Sequence, residues 1–377
     1  MEVNQLIRLN PAAWTEILQS KPENRPVSVT DVGVVRLSDT RSQYLLSLEG
    51  HPEPVVFQAK RTNTTEARFY RELSPQVSFL TPRCLFSYVN EQRGWVVLDD
   101  VPDHRPAIDW GEREVERIIG NLAALHISFW GRVDQLLEYE WLDYHIKPAP
   151  AESILEDALL YRSVRPDDRR LGEVSAQTRQ HTGSLLPAFQ QAAISLRILH
   201  DAGGWPGIID RKHLEAIADL LDDPLPMLIP LRRLPSTLLH RNLASHHWRM
   251  TMFGDCALLD WQRPAIGPAV CDLVQFVEQF ELVGQNGLWK QRPDWPMSVE
   301  TMIDTYLLRL YDGLWPMFNA REIRRAIPAA RCLHVITYWL PRMVSLEKQS
   351  LSLGPHLPIR AYLRGMFRRF WHAYRTL

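Results

Sequence analysis

Three short segments carry residues whose types and spacing could do chemistry. The first is Val55-Val56-Phe57-Gln58-Ala59-Lys60, an apolar run ending in a lysine, with Glu66 and Glu72 just beyond it. The second is Leu238-Leu239-His240-Arg241-Asn242-Leu243-Ala244-Ser245-His246-His247, and the third is Ala257-Leu258-Leu259-Asp260-Trp261-Gln262. A lysine held by a glutamate presents a fixed cation to phosphate oxygens, and a carboxylate such as Asp260 suits a divalent cation. Glu66 is the better partner for Lys60, with Glu72 as the alternative. Asn242 can accept a hydrogen bond from a hydroxyl but cannot take its proton. His247 offers nitrogen, not hard oxygen, to a metal.

Each residue also has a plainer use. Lys60 could mark the start of a loop, Glu66 could complement a helix dipole, and Asp260 could form a turn. Asp272, after Gly267-Pro268, has the look of a helix N-cap. His240, His246 and His247 match no zinc-ligand spacing.

The elements that must position these residues change character along the chain. Asn10-Pro11 opens a short helix, with Asn as N-cap and Pro in the first turn. Strand signals then dominate to about residue 100: Val27 to Leu37, Gln43 to Leu48, Val55 to Ala59, Cys84 to Val89 and Trp95 to Leu98. One helix interrupts them at Thr64 to Leu73, where Ala67, Tyr70 and Leu73 recur at helical spacing and Thr64 or Thr65 could cap. The first turn, Leu37 to Ser42, has no G-x-G-x-x-G. Its hydroxyls and N–H groups could touch phosphates, or it is an ordinary hairpin turn.

After Pro106 the pattern is helical. Val115, Ile118, Ile119, Leu122, Leu125 and Phe129 form an apolar stripe, and Pro, Asp and Gly clusters at 165–168, 201–207 and 222–230 break later helices. Strand-like pieces return at Thr237 to Leu239 and Cys256 to Leu259, and helices dominate from Asp272. The last segment sets Leu363, Phe367, Phe370, Tyr374 and Leu377 on one side and Arg360, Arg364, Arg368 and Arg375 elsewhere, as in a docked terminal helix with a solvated basic face.

A chain of 377 residues suits two lobes. Its net charge of −1 gives no global attraction to nucleic acid or anionic membrane. Four cysteines without C-x-x-C pairing read as buried free thiols of a reducing compartment. No signal peptide is evident, and no apolar run approaches the ~20 residues of a membrane span. Leu333 to Leu340 is short and ends at Pro341. The expectation is an α+β protein of the cytoplasm, strands first and helices after, with a turn-rich hinge at Asp99-Asp100-Val101-Pro102.

Taken in order, these pieces resemble the aminoglycoside phosphotransferase and choline kinase superfamily, in particular its ecdysteroid-kinase-like branch. The matching segments are Val56 to Lys60, Glu66 to Leu73, Trp95 to Asp100, Leu122-Ala123-Ala124-Leu125-His126-Ile127-Ser128-Phe129-Trp130, and His240 through Asp272. The resemblance implies a bilobal protein-kinase-like fold. Residues 1–100 would form a small N-terminal antiparallel sheet lobe with one helix. Residues 101–377 would form a large, mainly helical lobe, with the catalytic-loop region at 237–280 and an acceptor-site insert at about 130–230.

The resemblance further implies ATP between the lobes, Lys60 on its phosphates and paired with Glu66, and Asp99 and Asp100 among the nucleotide-binding hinge residues. Asp260 would hold Mg²⁺, His240 would brace the loop, and Asp272 would be structural. The loop frame H-x-D-x-x-x-x-N becomes His240-Arg241-Asn242 and His247, so the base and one metal position are altered. Implied partners are a small-molecule or peptide hydroxyl acceptor, or a protein if the chain is a pseudokinase, with no nucleic acid. Asp143, Glu278 and Glu281 are candidate acids for a cationic acceptor.

Overall fold

The computed structural model describes residues 10–19, 27–149, 172–285, 288–291, 296–353 and 359–377. The cluster at 165–168, and with it part of the expected insert, lies outside the described residues. The chain forms two compact units: Met1–Pro106 with His247–Pro264, and Ala107–His246 with Ala265–Leu377. The 237–280 segment is thus divided between them.

The first unit is built on a five-stranded antiparallel sheet. Its strands are β1 (Val29–Arg36), β2 (Arg41–Leu48), β3 (Val55–Thr62), β4 (Cys84–Val89) and β5 (Gly94–Asp99), in the order β1-β2-β3-β5-β4. Alternation along β3 buries Phe57 and Ala59 on one face, which leaves Gln58 and Lys60 on the other. The buried face packs on helix α1 (Pro11–Gln19), where Trp14 stacks on Phe57 and tilts against Tyr44.

The expected helix at 64–73 is two pieces, α2 (Thr64–Arg68) and a π-helical turn at Phe69–Leu73. Its cap is Asn63, not Thr64 or Thr65: the Asn63 side chain accepts from Glu66 N at 2.8 Å. A Cβ on Gly94 would stand 2.4 Å from Asn63 O and 2.5 Å from Ala67 Cβ. Only glycine lets α2 lie this close to β5.

A hairpin of Trp248–Met250 and Cys256–Leu258 completes this unit, although sequence reading expected only its second strand. Leu258 N donates to Leu80 O at 2.7 Å and Met250 N to Asp103 Oδ1 at 3.2 Å.

The second unit is helical around a small sheet. Helix α3 (Glu112–Ser128) buries the expected stripe of Val115, Ile118, Ile119, Leu122 and Leu125. Strands β6 (Ser236–Leu239) and β7 (Ala265–Pro268) pair antiparallel, and Tyr144 and His145 extend this pair through Ile266. Helix α4 (Leu225–Arg232) runs through part of the 222–230 cluster, where a break was expected. Prolines at its start have no intrahelical N–H to lose. Burial of Leu225, Met227, Leu228 and Leu231 overrides Pro230.

Helix α5 (Val270–Gln279) follows β7, then a hairpin of Leu282–Gln285 and Leu288–Gln291 that sequence reading did not foresee. Helices α6 (Val299–Leu314), α7 (Ala320–His334) and α8 (Arg360–Tyr374) follow; α6 packs on α3, and α7 packs on α4, α5 and α8. On α8, Leu363, Phe367 and Phe370 are buried, whereas Leu377, expected on the same side, is exposed. Arg360 and Arg364 donate to the carbonyls of Pro206 and Gly207, both at 3.0 Å, so part of the basic face is engaged within the unit. All four cysteines are free thiols, with Cys256 and Cys332 buried and Cys84 and Cys271 partly so. Among the described residues, no helix is long and apolar enough to cross a membrane.

Candidate functional site

In the first unit, Lys60 Nζ lies 2.8 Å from Glu66 Oε2 and also forms an ion pair with Asp260 Oδ1. Glu66 is 1% exposed and also accepts from the Thr62 hydroxyl. Burial pushes its carboxyl up from the usual glutamate range, and the Lys60 charge and the bonds from Lys60 and Thr62 only partly offset this. Glu72, the alternative partner, pairs with its neighbour Arg71. The Asn63 cap links two of the segments, because its side-chain nitrogen also donates to Gln262 O at 2.9 Å.

Asp260 has φ 69°. That left-handed conformation costs a non-glycine residue ~1–2 kcal/mol. Its neighbours hold it there. Leu259 N donates to His247 O at 2.9 Å, extending the hairpin by one step. Trp261 is fully buried, stacks on Phe69 at 4.0 Å and 8°, and donates from Nε1 to Leu258 O at 3.0 Å. Gln262 Nε2 lies 2.7 Å from Asp260 Oδ1, and His247 Nε2 lies 3.4 Å from Asp260 Oδ2.

Magnesium, implied by the resemblance, seeks oxygen ligands in an octahedron. Asp260 supplies such an oxygen, but His247 supplies nitrogen where the second protein oxygen was expected. The residues present therefore do not fit Mg²⁺ as a two-ligand site.

Other expected contacts in this unit are engaged locally. Asp99 accepts from Arg83 Nε at 3.0 Å, and Asp100 from Gln58 Nε2 at 2.8 Å. In the β1–β2 turn, Ser38 Oγ accepts from Thr40 N and Arg41 N, as in an ordinary hairpin turn.

The second unit carries the His240-Arg241-Asn242 loop. Asp272 is the third residue of α5 and does not cap it; the N-cap position is Ala269. Its carboxylate instead accepts from His240 N at 2.7 Å and Arg241 N at 2.9 Å. Burial acts to raise its pKa, but the neighbouring His126 imidazole and the charge and backbone N–H of His240 hold it below the usual aspartate value.

Arg241 has φ 61° and, with Asp260, is one of two non-glycine residues with positive φ among the described residues. Asn242 N donates to His240 Nδ1 at 3.2 Å, so His240 braces the turn by accepting from its own loop. Gln275 closes it further, accepting from Leu243 N at 3.2 Å and donating to Arg241 O at 3.3 Å. Behind Asp272, His126 Nε2 lies 3.5 Å from Oδ2 and His126 Nδ1 lies 2.6 Å from the Tyr306 hydroxyl.

Sequence reasoning missed Gln275, Tyr306, Asn63 and His145. Gln275 had a signal, since it lies three residues from Asp272 on the same helical face. His145 had none: burial pushes its imidazole well below the usual histidine range, and the nearby Arg241 charge adds to this. Of the candidate acceptor acids, Glu278 is buried against Arg331 at 2.6 Å and Arg369 at 2.8 Å. Glu281 lies 3.9 Å from Arg369, and Asp143 gives its carbonyl to Ile266 N.

Scanned against protein-family models and against curated proteins, the sequence matches none. Among solved structures the chain is similar to choline kinase from Cryptosporidium parvum Iowa II, at 11% identity and a TM-score of 0.51, over 99% of this chain and 95% of that one. It is also similar to the Plasmodium vivax ethanolamine kinase, at 12% identity and a TM-score of 0.47, over 97% and 87% of the two chains. A third is aminoglycoside phosphotransferase from Alicyclobacillus acidocaldarius, at 13% identity and a TM-score of 0.41, over 92% of each. Identities this low speak to architecture alone, and the chain has the choline kinase fold: α+β, with an N-terminal antiparallel sheet and a helical C-terminal part.

Proposed function

We propose that this chain is an ATP-binding phosphotransferase of the aminoglycoside phosphotransferase and choline kinase superfamily, in its ecdysteroid-kinase-like branch, acting in the cytoplasm on a hydroxyl of a small molecule or peptide. The observation that supports this reading is Lys60, held by Glu66 on one side and Asp260 on the other. Such a lysine is a pre-positioned cation for the α- and β-phosphates, and an incoming phosphate would compete with Asp260 for it. Phosphoryl transfer has a loose transition state, so positioning and charge neutralisation supply most of the catalysis.

The usual Asp base is Asn242. A general base typically contributes 10²–10⁴-fold, about 3–5 kcal/mol of barrier. Transfer is therefore expected to be slow unless another group takes the proton. Calorimetric titration with ATP tests the nucleotide half of the site: the wild type binds, and Lys60→Ala loses most of the affinity. ADP release over a panel of hydroxyl acceptors tests the transfer half. Turnover no greater than acceptor-free hydrolysis would remove it.

Asn242 also favours a second reading, a catalytically inactive nucleotide sensor or scaffold. ATP would then raise the melting temperature by linkage, with no phosphorylated product.

A further inference from the structure

The pair His247–Asp260 suits a cation other than the one the resemblance implies. Both side chains belong to the first unit, and one hairpin sets their spacing. Trp248 pairs with Leu258, Leu259 N donates to His247 O at 2.9 Å, and the left-handed turn at Asp260 then brings its carboxylate to the imidazole. One carboxylate oxygen, Oδ1, already faces Lys60 and Gln262. The other, Oδ2, faces His247 Nε2 at 3.4 Å.

That separation is long for a hydrogen bond, whose usual range is ~2.7–3.2 Å. A single cation about 2.1 Å from each atom would span it. Donor chemistry selects the ion, because imidazole suits zinc-like ions and Mg²⁺ prefers oxygen. The side chains are 11% and 12% exposed, so the pair is sheltered but open to solvent. Lys60 neutralises one of the two carboxylates beside it, Glu66 and Asp260, which leaves a net negative site for a dication.

We propose that His247 Nε2 and Asp260 Oδ2 form a nucleotide-completed site for a borderline transition ion of the Zn²⁺ and Co²⁺ class, in preference to Mg²⁺. Among the described residues, no cluster of three or more His, Cys, Asp or Glu side chains suits a metal. Phosphate oxygens and water therefore fill the remaining positions, and metal and nucleotide bind cooperatively. The inference rests on the ATP-binding reading above.

The test is calorimetric titration of the full chain with ATP in EDTA, Mg²⁺, Co²⁺ or Zn²⁺, alongside visible absorption of the Co²⁺ complex. The expected result is at least 10-fold tighter ATP binding with Co²⁺ or Zn²⁺ than with Mg²⁺, and intense tetrahedral Co²⁺ bands that require ATP. His247→Asn should abolish both, while its ATP binding in EDTA shows that the variant folds; His247→Gln serves if it does not. Equal enhancement by Mg²⁺, or a preference that survives His247→Asn, overturns the metal assignment and leaves the ATP reading standing. No ATP binding under any condition, EDTA included, overturns both.

Discussion

Replacing Asp272 with alanine would show how the His240-Arg241-Asn242 loop is held. Two backbone amides, His240 N at 2.7 Å and Arg241 N at 2.9 Å, donate to its two oxygens, and the residue is 1% exposed. Hydrogen bonds to a charged group are worth ~1.5–3 kcal/mol each. Together they more than offset the ~1–2 kcal/mol that left-handed backbone costs Arg241. Alanine would leave both amides buried without that acceptor and the Arg241 conformation without its support. The expected loss is about 3–5 kcal/mol in the unit that carries the loop, the range for breaking a buried charged pair.

Two measurements read it: urea unfolding of this unit, and amide hydrogen exchange at His240 and Arg241, which should accelerate by at least ~100-fold if opening becomes that much easier. Asp272→Asn keeps one acceptor and should cost less, about 1–3 kcal/mol. The pH dependence follows from its folded pKa lying below the unfolded one. The contribution of Asp272 is full above the unfolded aspartate value of ~3.9 and is lost as pH falls through the folded value. Both variants should therefore flatten the acid limb of the stability curve below about pH 4. A loss under ~1 kcal/mol in Asp272→Ala, with unchanged exchange at these two amides, would refute the reasoning, since each bond alone should exceed that.

Gly94→Ala places a methyl against Asn63 O and Ala67 Cβ, so α2 must shift; about 1–3 kcal/mol of stability is lost, with weaker ATP binding by calorimetry because α2 carries Glu66. At Arg241, glycine should be tolerated within ~1 kcal/mol whereas valine should cost at least ~1 kcal/mol more, because a β-branched side chain resists positive φ; paired urea titrations compare them. Glu278→Gln leaves Arg331 and Arg369 without their shared carboxylate and should cost about 3–5 kcal/mol at neutral pH. Burial opposes ionisation of Glu278, but the two arginines hold its pKa below the usual glutamate value. Its contribution is present above ~4.3 and fades as pH falls, so the variant should differ from wild type least in acid, as measured by urea midpoints across pH.

The parts legible in the sequence are those fixed by local pattern. Cys84–Val89 follows the apolar run quoted for it, and β3 begins at Val55 as read but runs on to Thr62. The pairing of Lys60 with Glu66 is also local: a strand end and the first turn of the next helix place two residues six apart within reach. What was not legible depends on distant partners. Asn63 takes the cap that Thr64 or Thr65 could have taken, and its side chain also ties to Gln262 across the unit. Asp272 has the pattern of an N-cap yet serves the loop 32 positions away. The proline-rich α4 is helical because its apolar side chains are buried, which no turn rule can anticipate.

The two left-handed non-glycine residues among the described residues show what holds the turns beside Asn242 and His247. Arg241 is held through its backbone N–H by Asp272, and its carbonyl by Gln275. Asp260 is placed by the backbone ladder that ends at Leu259 and by the buried Trp261 beside it. These bonds come from Asp272, Gln275, the Leu259 amide and Trp261. The cost of each strained residue is met by tertiary contacts from α5 and from the Phe69–Trp261 stack, respectively. These contacts belong to the architecture shared with a choline kinase at 11% identity, and the proposed changes in proton removal and metal preference would act within it.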